Sequence, residues 1–560
     1  MVKKILTILN KEFSSIHQAA FLLGFFALFS QVLGLLRDRL LASHIGLSSN
    51  LDIYYAAFRI PDFIYVSVAC LVSITALMPF LTEKMKGDGD HAEAHRFLND
   101  MFTVFLYAMI AISVILYIIM PYIAKSITPG FSPEATLLTI KISRLMLLSP
   151  IFLGLSNLFG SVTQFYRRFF LYSLSPVLYN VGIILGIFLF YPSMGVVGLA
   201  WGVALGAMLH MFVQLVVMVK YKFVPKISKV INWNEVLRVL AISLPRTAGL
   251  AFNNMAIIII IAFASLVGEG AISVFKLSSN LQAVPLAIIG VSYAVATFSN
   301  LTKYISENQR DKFIDQVTLS ARQVIFWSMP VTVLFIVLRA QIVRVILGSG
   351  HFTWQDTRLV AASLAIFALS VVAQSMILLF ARAYYAAGNT RKPLIMNFIC
   401  SFGIVILAYV LVHFFNQLAP LKNLIETLLR VQGIPGTAVL MLPLAYSIGT
   451  IVNFILHWVH FKKDFENNQP FLRTAFFQSI FASIVIGMVT YIALGPLAKI
   501  FDLDKFIDFL LQGLIAGIIG IIAGGIVLSL MKNKEMLMIQ ETFKTKFWKT
   551  SPISATGEGI

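Results

Sequence analysis

The polar and apolar positions of this chain alternate on the scale of whole helices. Apolar blocks run over residues 18–43, 52–82, 98–124, 135–160, 173–192, 196–219, 236–267, 271–301, 317–340, 358–386, 394–416, 437–461, 473–497 and 507–531, about fourteen in all. Short polar loops separate them. Two blocks set the scale: 251–268 reads AFNNMAIIIIIAFASLVG and 511–530 reads LQGLIAGIIGIIAGGIVLSL. A helix needs about 20 such residues to cross the roughly 30 Å hydrocarbon core of a bilayer. The pattern therefore predicts an all-α polytopic membrane protein. Blocks 18–43, 52–82 and 271–301 carry the most polar residues.

Composition agrees. Of 560 residues, 59% are hydrophobic and 12% charged, with mean hydropathy +0.86; soluble domains carry about a quarter charged residues. The net charge of +18 sits in short loops with no nucleic-acid motif, which excludes nucleic acid as a partner and fits the positive-inside rule. With the N-terminus in the cytoplasm, the inside loops hold Lys84, Lys86 and Arg96; Arg167 and Arg168; Lys220, Lys222, Lys226 and Lys229; Lys303, Arg310 and Lys312; Arg391 and Lys392; Lys462 and Lys463. The outside loops HIGLSSN, YPSMG and GEG are nearly uncharged, so both termini fall inside. Cys70 and Cys400 lie in apolar blocks and give neither a disulfide framework nor a zinc site. His91 and His95, four apart in a charged loop, read as a solvated face and not as a metal site.

The chain also repeats. Phe131-Ser132-Pro133-Glu134 leads across one block to Pro176 and Asn180; Phe352-Thr353-Trp354-Gln355-Asp356 leads across one block to Pro393 and Asn397. Each opening is an N-cap Ser or Thr followed by a first-turn acid. Each closing places Pro at a helix start, where its missing N–H costs nothing. The offset is about 220 residues. This predicts a segment 1–17 at the cytoplasmic interface, an N-lobe of six spans over 18–219, a cytoplasmic linker at 220–235, and a parallel C-lobe of six spans over 236–461. Two further helices follow over 462–531, then a basic cytoplasmic tail over 532–560. Substrate sites in transporters built from repeats lie between the halves.

Charges inside the blocks mark candidate chemistry, because each costs about 2.5–3.5 kcal/mol at a helix centre by insertion scales. The first block carries Arg37, Asp38 and Arg39. The second carries Asp52, Arg59 and Asp62, with Asp52 and Arg59 seven apart and so on one helix face. Arg246 follows Pro245 early in its block; Arg39, Asp52 and Arg382 lie near block ends, where long side chains can reach the headgroups; Lys276 lies one turn before Asn280. Arg37, Arg59 and Lys276 together predict a cationic cavity, with Asp38, Asp52 and Asp62 as counter-charges. Such a cavity suits an anion, and guanidinium groups grip phosphate or diphosphate with two parallel hydrogen bonds. The acids are scattered singly, which disfavours a membrane-embedded transferase with a metal or general base.

The runs Ser30-Gln-Val-Leu-Gly-Leu-Leu-Arg-Asp38, Leu51-Asp-Ile-Tyr-Tyr-Ala-Ala-Phe-Arg-Ile-Pro61 and Leu77-Met-Pro-Phe-Leu81, with the Thr128-Pro-Gly-Phe131 loop, resemble the signature of the MurJ/MviN lipid II flippases of the multidrug/oligosaccharidyl-lipid/polysaccharide exporter superfamily. The resemblance implies two six-helix lobes plus two helices that form a groove for a polyprenyl tail. It implies translocation of lipid II, or a related undecaprenyl-diphosphate-linked sugar, across the bacterial cytoplasmic membrane by alternating access, for peptidoglycan synthesis. No cofactor is implied; an ion gradient or the membrane potential would drive transport. Membrane lipids and cell-wall synthesis proteins are the implied partners. Export of another lipid-linked oligosaccharide, or a non-transporting scaffold role, are the alternatives. By position, Arg37-Asp38 match the family's Arg-Asp pair, Asp52 its acid and Arg59 its basic residue before Pro. The chain departs from the family pattern at Gln31 (arginine), Tyr65-Val66 (an arginine pair), Cys70-Leu71 (acid-glycine) and Ser279-Asn280 (Asp-Arg). Lys276, one turn from Asn280, and Arg39 are the candidates to replace that lost charge in the substrate-binding set Arg37, Arg39, Arg59, Lys276 and Asn280.

Overall fold

A computed structural model describes residues 16–68, 72, 74–85, 91–465, 471–502 and 505–547. The segment before residue 16, Cys70, Lys86, the end of the basic tail and the Arg246 side chain lie outside the described residues. Within them the chain is helical and carries no strand. In chain order the helices are α1 Ile16–Ile45, α2 Ser49–Ala57, α3 Arg59–Ser67, α4 Ile74–Lys84, α5 Ala92–Ile127, α6 Pro133–Met146, α7 Leu148–Phe165, α8 Phe169–Leu185, α9 Val196–Lys220, α10 Trp233–Val267 and α11 Ala271–Pro285. They continue as α12 Ser292–Ser306, α13 Arg310–Val337, α14 Arg339–Leu347, α15 Trp354–Ala368, α16 Val371–Ala386, α17 Arg391–Phe415, α18 Ala419–Leu429, α19 Met441–Phe465, α20 Phe471–Ile500, α21 Phe506–Leu530 and α22 Lys534–Phe547.

Ten helices among the described residues are long and apolar enough to cross a membrane, or eleven if the pair α15 and α16, bent by 42°, is one span. The predicted blocks 18–43, 52–82 and 236–267 fold as helices but are not in that set. The first and third are helices of 30 and 35 residues in which the side chains at 16–21 and several between 242 and 253 lie outside the described residues, and the second is split into α2, α3 and α4.

Proline explains two of the breaks. A pyrrolidine ring lacks an N–H and clashes with the carbonyl four residues earlier. α2 ends at Ala57, four before Pro61, and α6 ends at Met146, four before Pro150. Two spans contain a π-helical turn, at Gly186–Phe190 and, directly after Pro285, at Leu286–Val291. The predicted caps form: Ser132 Oγ accepts from Ala135 N at 3.2 Å. Thr353 Oγ1 accepts from Asp356 N at 3.2 Å, while Asp356 Oδ2 accepts from Thr353 N at 2.8 Å.

The chain separates into two compact units: residues 1–284, 346–367 and 390–453, and residues 285–345, 368–389 and 454–560. In the first unit, α5 shows how a span divides its surface. Ile110, Val114, Ile118 and Tyr122 are exposed every fourth residue, while Phe105, Met109, Met120 and Ala124 are buried. An exposed stripe of this kind is stable against hydrocarbon, not water. α8 and α9 cross at glycines: a Cβ on Gly182 would lie 2.3 Å from Gly206 Cα, and one on Gly186 would lie 2.4 Å from Gly202 Cα. Small residues at such crossings let backbones approach, which drives helix association in lipid. The linker after α9 lies along α5, whose side chains accept three of its amides: Asn99 from Lys226, Thr103 from Ser228 and Asp100 from Asn232. His95 stacks on Phe223 at 4.1 Å, so it packs against the linker and is not part of a solvated face.

In the second unit, α20 and α21 pack side by side, with Gly520 against Thr490 and Gly524 against Ile486. α22 is pinned by an Arg322–Glu535 ion pair of 2.7 Å, and Asn533 caps it through Met536 N. Arg382 lies over the Phe298 ring at 5.3 Å.

Candidate functional site

Of the intramembrane charges predicted from sequence, Arg37, Asp38, Arg39, Asp52, Arg59, Asp62 and Lys276 fall on α1, α2, α3 and α11, all in the first unit. They divide into three groups, set by what each side chain meets.

The first group is internally paired. Arg37 donates Nε and Nη2 to Asp38 Oδ1 at 3.0 and 2.8 Å, and Nη1 to Asn180 Oδ1 at 3.1 Å. Asn180 is held in turn by its amide, which donates to Ser30 O and Oγ and to Pro176 O. The other Asp38 oxygen accepts from Asn280 Nδ2 at 2.7 Å. Asp38 is 2% exposed, and a buried carboxylate is tolerable only when paired and hydrogen-bonded. Arg37, Asp38, Asn180 and Asn280 thus tie α1 to α8 and α11. The neutral amide of Asn280 satisfies Asp38 without adding charge.

The second group joins helix ends. Asp52 Oδ1 accepts from Ser273 N at 2.8 Å and Ser273 Oγ at 2.6 Å, so the buried carboxylate faces the first turn of α11. Amides there have no helical partner, and the helix dipole favours an anion. Glu269 Oε1 in turn accepts from Ser49 N at 2.7 Å, at the start of α2. Each of the two helices thus receives its capping carboxylate from the other's segment, 220 and 221 residues away. Asp52 and Arg59 do not share a site: Pro61 breaks the helix between them, Asp52 turns to Ser273, and Arg59 turns to a cavity. Arg39 also leaves that cavity; Nη1 donates to Ile346 O at 3.4 Å.

The third group lines the cavity, of about 230 Å³, with walls that include Arg37, Arg59, Asp62 and Lys276. Arg59 is 7% exposed and its Nε has no hydrogen-bond partner. Neither Arg59 nor Lys276 makes an ion pair among the described residues. The sequence reading brings these cations together, and the structure does the same. It also adds residues that reading left out: Tyr54, Tyr55, Tyr65 and Tyr179 line the same space. The hydroxyl of Tyr55 is buried without a partner. The spacing of Tyr54-Tyr55 before Arg59 is visible in the sequence, but Tyr179 arrives from α8, where only its neighbour Asn180 stood out as a repeat mark. A partly open cavity with two cations that make no ion pair, a single nearby carboxylate at Asp62, the paired Arg37 and phenol donors carries excess positive charge and can hold a compact anion attached to a polar, ring-bearing group.

The family model described as lipid II flippase MurJ matches residues 41–507. A probable lipid II flippase MurJ of Buchnera aphidicola subsp. Schizaphis graminum is 25% identical over 514 residues, covering 89% of this chain and 94% of the relative. One from Thermotoga maritima is 25% identical over 498 residues, covering 87% and 97%. A solved lipid II flippase MurJ in an inward closed conformation superposes with TM-score 0.73 at 23% identity, covering 92% of this chain and 100% of that one. An inward-facing multidrug resistance MATE transporter of the same superfamily superposes at 0.61 and 16% identity, covering 78% and 96%. The fold is therefore that of the superfamily's transporters, and the match to the family model over most of the sequence makes this chain a member of the MurJ lipid II flippase family.

Proposed function

We propose that this protein carries lipid II, or a closely related polyprenyl-diphosphate-linked sugar, across the bacterial cytoplasmic membrane by alternating access, with both termini in the cytoplasm. The relatives named as lipid II flippases support the substrate class. The observation that carries the reading is the pair Arg59 and Lys276, two cations without ion-pair partners facing one cavity. Two cations facing one carboxylate, Asp62, in a poorly hydrated cavity are costly; a diphosphate supplies the remaining compensation, and the cations return charge-assisted hydrogen bonds.

Within this reading Arg37 and Asp38 position the cavity wall, and Arg59 and Lys276 grip the anion. Lys276 takes over the charge that the family pattern places one turn later, at Asn280. An ion gradient or the membrane potential drives the cycle. The clasp made by Asp52, Ser273, Glu269 and Ser49 closes one end of the path and must open for release. The deciding experiment is rescue of a conditional lipid II flippase depletion strain. Wild-type chain should restore growth, and Arg59→Ala should not while reaching the membrane at wild-type level. Failure of the wild-type chain to rescue, with normal expression, would remove lipid II from the proposal.

A further inference from the structure

Between the spans Arg391–Phe415 and Thr437–Phe465 lies α18, only eleven residues long. At 1.5 Å per residue it extends about 16 Å, half of a hydrocarbon core, so it does not cross a membrane. Its sidedness is unusual. The carboxylate of Glu426 is turned inward, 9% exposed, and accepts from Thr437 Oγ1 at 2.6 Å. Just past the helix, Arg358 Nε donates to Arg430 O at 3.0 Å. The face turned away from the protein carries Leu424 and Leu428, 63% and 72% exposed. A helix bathed in water on that side would show the opposite arrangement.

The exposed arc is itself divided. With about 100° of rotation per residue, Asn423 and Thr427 form one edge and Leu424 and Leu428 the other; all four are exposed. The leucine edge continues outward around the partly exposed Leu421 and Ile425. It is also continuous along the chain with lipid-facing surface: Phe402, Ile406, Tyr409 and Phe414 of the preceding span and Leu418 before α18 are all exposed. A polar edge beside an apolar edge, on a short helix tethered at both ends to spans, is the form of an in-plane interfacial helix.

We infer that α18 lies in the membrane–water boundary, with Leu424 and Leu428 among the acyl chains of one leaflet and Asn423 and Thr427 in the aqueous headgroup layer. The polar contacts of Glu426 and Arg358 orient the helix about its axis, so that the leucine edge faces lipid. The occupant of this face is the bilayer itself, not a second protein. This does not depend on which lipid-linked sugar is carried.

Site-directed spin labelling tests it. Cys70 and Cys400 are replaced by alanine in the full chain, single cysteines are placed at 423, 424, 427 and 428, and each protein is reconstituted in phosphatidylethanolamine–phosphatidylglycerol nanodiscs. Collision rates with oxygen, which concentrates in hydrocarbon, and with a water-soluble nickel chelate are read for each label. The expected result is an oxygen-to-nickel ratio several-fold higher at 424 and 428 than at 423 and 427. Equal ratios at all four positions, with nickel access high, would place the helix in water and overturn the inference. Low access to both reagents at 424 and 428 would show a protein contact there and would equally overturn it. The labels sit on exposed positions, so none of the variants removes a packed side chain.

Discussion

Replacing Lys276 by methionine should make this protein more stable and less active at the same time. The ammonium is half-buried, lines the cavity and makes no ion pair. Methionine keeps most of the stem and removes the charge. Charge at a helix centre costs about 2.5–3.5 kcal/mol in lipid; water reaching the cavity reduces this, and about 1 kcal/mol is the gain expected on neutralisation. The change also relieves like-charge repulsion from Arg59 and Arg37 and gives up the attraction of Asp62 and Asp38, which offset one another in part. The functional effect runs the other way. A charge-assisted hydrogen bond to a diphosphate is worth about 1.5–3 kcal/mol, equivalent to about a 10- to 150-fold loss of affinity. Two assays separate the effects: thermal unfolding of the purified protein in detergent, and binding of lipid II together with rescue of the depletion strain. Adding Asn280→Arg should then recover part of the function. The new guanidinium would stand one turn away, beside Asp38, which now accepts from Asn280 at 2.7 Å. If Lys276→Met binds and rescues like wild type, or is less stable, Lys276 is a structural cation and the anion site must be sought elsewhere.

Asp52→Ala should destabilise the clasp by about 2–3 kcal/mol, because it removes acceptors for Ser273 N and Oγ at the first turn of α11; Asp52→Asn should lose about half of that, both read by thermal unfolding. Gly186→Val should abolish the stable protein, since its Cβ would meet Gly202 Cα at 2.4 Å, whereas Gly403→Ala, with nothing within 4 Å, should be neutral or stabilising by up to about 1 kcal/mol; detergent-extract chromatography distinguishes them. Cysteines at His91 and Lys534 should react with an impermeant maleimide only from the cytoplasmic side and one at Gly268 only from outside, and cytoplasmic labelling at Gly268 would sink the proposed orientation.

The sequence by itself determined most of what depends on neighbours along the chain. Apolar length marked the helices, because a backbone in hydrocarbon must satisfy its own hydrogen bonds. The sequence reading misses the breaks at Pro61 and Pro150 and takes the 52–82 block as one span, because its apolar content is continuous while its helix is not. The intramembrane charges were also legible, since Arg37, Asp38, Asp52, Arg59 and Lys276 stand out against their blocks. Which of them is free to act was not legible. Arg37 and Lys276 look alike in sequence, and the difference rests on Asn180 and Asn280, 143 residues beyond Arg37 and 242 beyond Asp38. Asp52 and Arg59 share a helix face on paper, yet Pro61 turns them to different partners. Tyr179 joins the cavity from α8, a helix that packs against α9 and against α1, which is far from it in sequence. Local pattern fixes a helix because its hydrogen bonds close within four residues; a charge is paired or left open by whatever side chain the packing of distant helices delivers, and only the tertiary structure decides that.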